Sequence, residues 1–204
     1  MADFTAKDVQ TLRKSTGAGM MDSKKALEAT GGDQDKAADY LREMGIAKVA
    51  KRSGREQGEG VVGVYMHNQA GRPVIGVLIG LASETDFVAK SADFISAAND
   101  IAMHSAAAKP SWVRRDEVPM DVVTKEMELI AAEARNEGKP DNIIERIVDG
   151  RLNSFYKENV LEDQVFVRSE RFEGTVGDMV QQLAIRMGEN ISISSMARVE
   201  IGAG

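Results

Sequence analysis

The period of apolar positions changes three times along this chain. From Thr5 to Met44 it is helical. Thr5 and Asp8 have the spacing of a capping box ahead of Val9 and Leu12, and Gly17 and Gly19 interrupt the pattern, so a first helix ends near Thr16. A second helical run covers about Met21 to Ala29 and stops at Gly31-Gly32. Asp33 then suits the N-cap of a third helix, which carries Ala37, Tyr40, Leu41 and Met44. Three helices of this length make a small bundle with a thin core, which is expected to lean on another part of the chain. Lys48 to Gly60 follows without apolar period, basic at first and glycine-containing later, as in a helix tail and a linker.

Strand-like runs begin at Val61. Val61 to His67 and Pro73 to Ser83 flank Asn68-Gln69-Ala70-Gly71-Arg72, a loop suited to a hairpin. Far downstream, Ile191, Ile193, Ala197, Val199 and Ile201 alternate with Ser192, Ser194, Arg198 and Glu200, which predicts a third strand with those apolar residues on its buried face. Between these strands helical spacing returns in four segments, about Ala92 to Ala107, Val122 to Glu137, Asn142 to Glu158 and Val176 to Met187. The last has Thr175 and Asp178 at its start and Gly188 past its end. The fold class is α+β, with helices packed on one face of a small antiparallel sheet.

Composition narrows the chemistry. The 204 residues include no cysteine, which excludes disulfides, thiolate metal sites and cysteine nucleophiles. No apolar run approaches the ~18 residues of a membrane span, and Met1 leads into a polar helical pattern, so a cytoplasmic protein without membrane association is expected. A net charge of -6 argues against general attraction to nucleic acid. The basic cluster Lys48 to Arg55 is read first as a solvated helix end and second as an RNA contact. The two histidines, His67 and His104, lie in no metal-ligand or nucleophile spacing, and His104 reads as an ordinary surface or packed residue. Gly58-Glu59-Gly60-Val61-Val62-Gly63 matches a dinucleotide-binding pattern in letters, but its glycines precede a strand and open no helix, so it is rejected. Neither a catalytic residue nor a metal or cofactor is expected.

Two places remain with chemistry to explain. Glu84-Thr85-Asp86-Phe87-Val88-Ala89-Lys90 sets a carboxylate beside an aromatic where the apolar run of the second strand ends. Phe87 is either a core residue, with Asp86 capping the next helix, or a tool aimed outward. Met20-Met21, beside a glycine turn, are either core filler or an adaptable binding surface.

The stretch Thr16-Gly17-Ala18-Gly19-Met20-Met21-Asp22-Ser23-Lys24-Lys25-Ala26-Leu27 resembles the N-terminal signature of the elongation factor Ts family, and Glu84 to Lys90 resembles its second signature. Tyr65-Met66-His67, Ile101-Ala102-Met103-His104, Glu137-Gly138-Lys139-Pro140, Gly150-Arg151-Leu152 and Gly188-Glu189-Asn190-Ile191 extend the resemblance over essentially the whole chain. It implies a ubiquitin-associated-like three-helix module over residues 1–52, a linker over 53–60 and a dimerisation core over 61–204. The implied activity is guanine nucleotide exchange on elongation factor Tu, without covalent chemistry.

The resemblance also assigns roles. Thr85, Asp86, Phe87 and Val88 would dislodge magnesium from the GTPase, with Phe87 as a wedge. Leu12, Met20 and Met21 would contact its nucleotide-binding domain, and His67 another part of it. Longer family members duplicate the core, so a single copy implies a homodimer. Where the family often has a proline, this chain has Val165, which bears on local loop shape. The rival reading is a protein-interaction adaptor whose three-helix module recruits peptides and whose core dimerises. An adaptor has no need of an acidic-aromatic wedge at Asp86-Phe87.

Overall fold

A computed structural model describes residues 4–202, so the ends of the first and last expected domains, 1–3 and 203–204, lie outside the described residues. In chain order the helices and strands are α1 (Ala6–Thr16), α2 (Met20–Ala29), α3 (Gln34–Ala50), β1 (Glu59–Gln69), β2 (Arg72–Ser83), α4 (Asp86–Ala89), α5 (Ala92–Ala108), α6 (Met120–Asn136), α7 (Asp141–Asn159), α8 (Val176–Met187) and β3 (Ser192–Glu200). Among the described residues, eight α-helices with a three-stranded antiparallel sheet of order β1-β2-β3 make an α+β fold.

Local chemistry sets most of the boundaries. Thr5/Asp8 and Thr175/Asp178 both form complete capping boxes, and Gly17 and Gly188 end their helices at φ of 71° and 75°, a conformation that costs glycine little. Strands β1 and β2 run further than the pattern indicates. Ala70 and Gly71 form the whole turn between them, both at positive φ (50° and 79°), the requirement of a two-residue type I′ hairpin.

The main core lies between the sheet and α5. Val77, Ile79 and Leu81 of β2 and Ile193 of β3 meet Phe94, Ala98, Ile101 and Ala102, with Val180, Leu183 and Ala184 of α8 closing the side. Helix α5 sits so close on β1 that a Cβ at Gly63 would lie 2.2 Å from the carbonyl oxygen of Ala98, so only glycine fits there. The three N-terminal helices have their own small core of Val9, Leu12, Ala26, Leu27 and Ala37. They meet the rest through α3, where a Cβ at Gly45 would come within 2.9 Å of Ile185 on α8, and through Val49, which packs on the main core.

Two expectations about packing are corrected. The register between β2 and β3 shifts at Gly80/Leu81, pairing Ser195 with Gly80 but Ile193 with Leu81, so Ser194 is an extra residue. Such a bulge reverses the alternation. Ile193 faces the core, whereas Ala197 and Val199, opposite Leu78 and Gly76, face outward and are exposed. Met196, Arg198 and Glu200 take the inner positions opposite Ile79, Val77 and Ile75. The second correction concerns α6 and α7, which were expected to cover the sheet. They pack on each other through Ile130, Ala134, Ile144 and Val148, as a helical hairpin with its own small core.

The outer face of the sheet carries Val62, Val64 and Met66 on β1, Leu78 on β2, and Ala197 and Val199 on β3, all exposed. Gly76 and Gly80 complete the face on β2.

Candidate functional site

Past Ser83 the β2 ladder ends, and the backbone N–H groups of Glu84 and Thr85 need other acceptors. Glu189, just beyond α8, supplies them. Its Oε2 accepts from the N–H of Glu84 (3.0 Å) and of Thr85 (3.1 Å), and its Oε1 accepts from the Thr85 hydroxyl (2.5 Å). Thr85 Oγ1 in turn accepts from the N–H of Val88 (3.4 Å), which makes Thr85, rather than Asp86, the N-cap of α4.

The one-turn helix that follows is pinned from below by Val88, which belongs to the main core, and by Ala89, which is also buried. Phe87 points the other way and is 84% exposed. The core reading of Phe87 is therefore overturned. Leaving a phenylalanine in water forgoes about 1.5 to 3 kcal/mol of burial, a cost that a partner surface can recover. Beside it, Asp86 pairs with Lys90 at 2.6 Å. That hydrogen bond holds the Asp86 carboxyl below its ordinary range and raises the Lys90 ammonium, so both stay charged at neutral pH.

A second carboxylate returns the contact to the α8–β3 junction. Glu84 Oε1 accepts from the N–H of Asn190 (2.6 Å), and its other oxygen meets Arg55 at 3.2 Å. The Asn190 hydrogen bond is the main reason the Glu84 carboxyl lies below its ordinary range. Asn190 Nδ2 donates to the carbonyls of Ser53 (3.4 Å) and Arg55 (2.9 Å), in the segment joining α3 to β1. Sequence reading noted Glu189 and Asn190 only as part of a family motif. No local pattern marks residues that act across more than 100 positions.

The other expected contacts are spread over the molecule. Met20 and Met21 open α2 at the glycine turn and are 46% and 64% exposed, which favours the binding-surface reading over core filler. Leu12, the third residue expected to touch a partner there, is 1% exposed and packs inside the three-helix core with Val9, Ala26, Leu27 and Ala37. His67 is exposed near the hairpin turn, stacked on Tyr65 with ring centroids 6.5 Å apart. Glu59, opposite Ser83, marks the end of the sheet that leads to Phe87, and the residues from there to His67 span roughly 26 Å of strand.

His104 is a packed residue. Gln164 donates its amide N–H groups to the carbonyls of Ala108 and Glu158, so its oxygen, 3.0 Å from His104 Nε2, must be the acceptor and Nε2 carries the proton. Nδ1 accepts from the N–H of Val167 at 3.2 Å. Burial lowers the imidazole pKa, against the smaller opposing effect of Gln164. Within the basic cluster, Lys48 pairs with Asp22 (2.9 Å) and Arg55 with Glu84. Gly60 and Gly63 enter β1 and no helix N-terminus. Among the described residues no group of His, Asp and Glu is arranged to hold a metal ion, and no helix is long and apolar enough to cross a membrane.

An exposed aromatic beside an ionised carboxylate, with exposed methionines on another helical unit, is the make-up of a surface suited to binding another macromolecule. Comparison with known proteins gives the family. The family model described as elongation factor TS matches residues 3–203. The elongation factor Ts of Desulforamulus reducens is 48% identical over 204 residues, covering 100% of this chain and 92% of that one. Those of Geobacter metallireducens and Fervidobacterium nodosum are 49% and 46% identical, covering 98% of this chain and 91% and 99% of theirs. The chain belongs to the elongation factor Ts family.

Proposed function

We propose that this chain is the guanine nucleotide exchange factor for elongation factor Tu, a cytoplasmic protein that binds the GDP form, displaces magnesium and GDP and lets GTP enter. The observation that carries this reading is Phe87, 84% exposed on a short helix anchored in the core, in the family's signature sequence. Phe87 acts as the wedge, with Thr85 as the cap that holds its helix, Asp86 as the adjoining charge and Val88 as the anchor beneath.

The mechanism is one of linkage. A factor that binds the nucleotide-free GTPase more tightly than the GDP form weakens GDP binding by the same ratio. A ten-thousand-fold effect needs about 5.5 kcal/mol of differential binding, and one phenylalanine supplies about 1.5 to 3. Met20 and Met21 on the three-helix module and His67 on the hairpin supply the remainder. With His67 and Phe87 at opposite ends of the sheet, the GTPase is addressed at separated places.

The chain works as a homodimer, and the outer sheet face with Val62, Val64, Met66, Leu78 and Val199 is its contact surface. Leu78→Asp puts a charge at the centre of that face and is expected to convert a dimeric mass in light scattering to a monomeric one. A wild-type monomer at micromolar concentration contradicts the dimer.

Release of fluorescent GDP from elongation factor Tu, with magnesium present and this protein in catalytic amounts, tests the exchange activity. Acceleration with turnover is expected. A folded sample without effect contradicts it and leaves the adaptor reading, in which the three-helix module recruits peptides.

A further inference from the structure

The side chains that hold the Phe87 segment lie more than 100 residues from it in sequence and form a closed ring of hydrogen bonds. Glu189 takes the two N–H groups left over at the end of β2 and the hydroxyl of the α4 cap, while Glu84, from the segment so held, takes the N–H of Asn190 next to Glu189. Each carboxylate thus fixes the backbone that carries the other. Charge-assisted bonds of this kind are shorter and stronger than neutral ones, and two N–H donors on one oxygen define a direction as well as a distance. The ring has a third member: Asn190 grips the carbonyls of Ser53 and Arg55, and the Arg55 guanidinium closes on Glu84. The segment leading from the three-helix module is tied to the same point.

We infer that Glu189, with Glu84 and Asn190, are positioning residues that fix the direction in which Phe87 is presented and couple that direction to the linker from the three-helix module. Resting on the reading of Phe87 as the wedge, this assigns its geometry to a crossed pair of carboxylates. Val88 and Ala89 anchor the depth of α4, but two small apolar side chains do not set the rotation of a single helical turn. The N-cap does, and Glu189 holds that cap by both its N–H and its hydroxyl. Without Glu189, the N–H groups of Glu84 and Thr85 turn to water and the short helix frays from its first residue.

The test uses the full chain with 4-fluorophenylalanine at position 87, read by fluorine resonance, together with GDP release from elongation factor Tu. Wild type is expected to show one line displaced from that of the free amino acid. Glu189→Ala is expected to move the line toward the free position and to lower kcat for GDP release about tenfold, with less than a twofold change in KM, because the contacts remain and only their aim is lost. Glu189→Gln retains one acceptor oxygen and should restore part of both signals. It also serves as the variant if Glu189→Ala does not fold. In the double variant with Phe87→Ala, exchange should be no slower than with Phe87→Ala alone.

An unmoved fluorine line in the folded Glu189 variant overturns the inference. So does a double variant in which the two losses multiply, since Glu189 would then act by a route that bypasses Phe87. A moved line while both single variants exchange at the wild-type rate keeps the positioning role and refutes the wedge.

Discussion

Phe87 and Phe94 are seven positions apart on consecutive helices, and the structure treats them in opposite ways. Phe94 follows the cap residue Ser91 into α5 and is fully buried among residues of the main core. Phe87 is on α4, where the next two residues take the inward positions, and it stands in solvent beside an ion pair. The burial that Phe94 completes on folding is, under the proposed function, left for Phe87 to complete on binding. On that reading stability and function are separated between two copies of one side chain.

The largest effect expected is at the buried member. Phe94→Ala should cost about 3 to 5 kcal/mol in denaturant unfolding, and exchange should fall only as the folded fraction falls. Phe87→Ala should do the reverse, slowing GDP release about 10- to 100-fold while unfolding changes by no more than about 0.5 kcal/mol. If the two variants lose stability alike, the contrast drawn between them is wrong.

Smaller effects test what surrounds the pair. Gly45→Val drives a branched side chain into Ile185 and should cost about 1 to 3 kcal/mol where α3 meets α8. GDP release should slow because Met20 and Met21 are displaced while Phe87 is untouched. A wild-type rate would exclude the module from exchange.

The smallest expected effect is in pH dependence. His104 is held neutral, and its pKa in the folded chain is lowered by burial from the ordinary 6.5. The unfolded chain therefore binds the proton more readily. The contribution of His104 to stability is complete above about pH 6.5 and is lost as pH falls from there through the lowered folded value. Protonation would also turn Nδ1 from an acceptor into a donor facing the Val167 N–H. Unfolding curves between pH 7.5 and 5 should fall more steeply for wild type than for His104→Gln, and parallel curves would remove His104 as the cause.

Much of the fold was legible because its determinants are local. The capping boxes at Thr5 and Thr175, the Asp33 cap, and the glycines at 17 and 188 are written within four residues of the ends they set. What depends on distant pairing was not. The apolar alternation around Ile193 to Val199 has a regular period, but the extra residue Ser194 reverses its faces, and only the register against β2 shows that. The helical spacing of α6 and α7 tells which side of each is apolar and not that they bury those sides on each other. Leu12 and Met21 are both apolar residues at helical positions of the N-terminal unit, one buried and one exposed, a difference decided by how three helices close. For Phe87 the sequence left two readings open. In the folded chain Val88 and Ala89 occupy the inward positions and the ring is left outside, a choice that no residue beside Phe87 announces.

The most direct test of the wedge is to compare wild type and Phe87→Ala, with matched unfolding curves, in one GDP-release assay on elongation factor Tu at fixed magnesium. The account predicts turnover-dependent acceleration by wild type and a 10- to 100-fold weaker one by the variant. Equal acceleration by both folded proteins would contradict it.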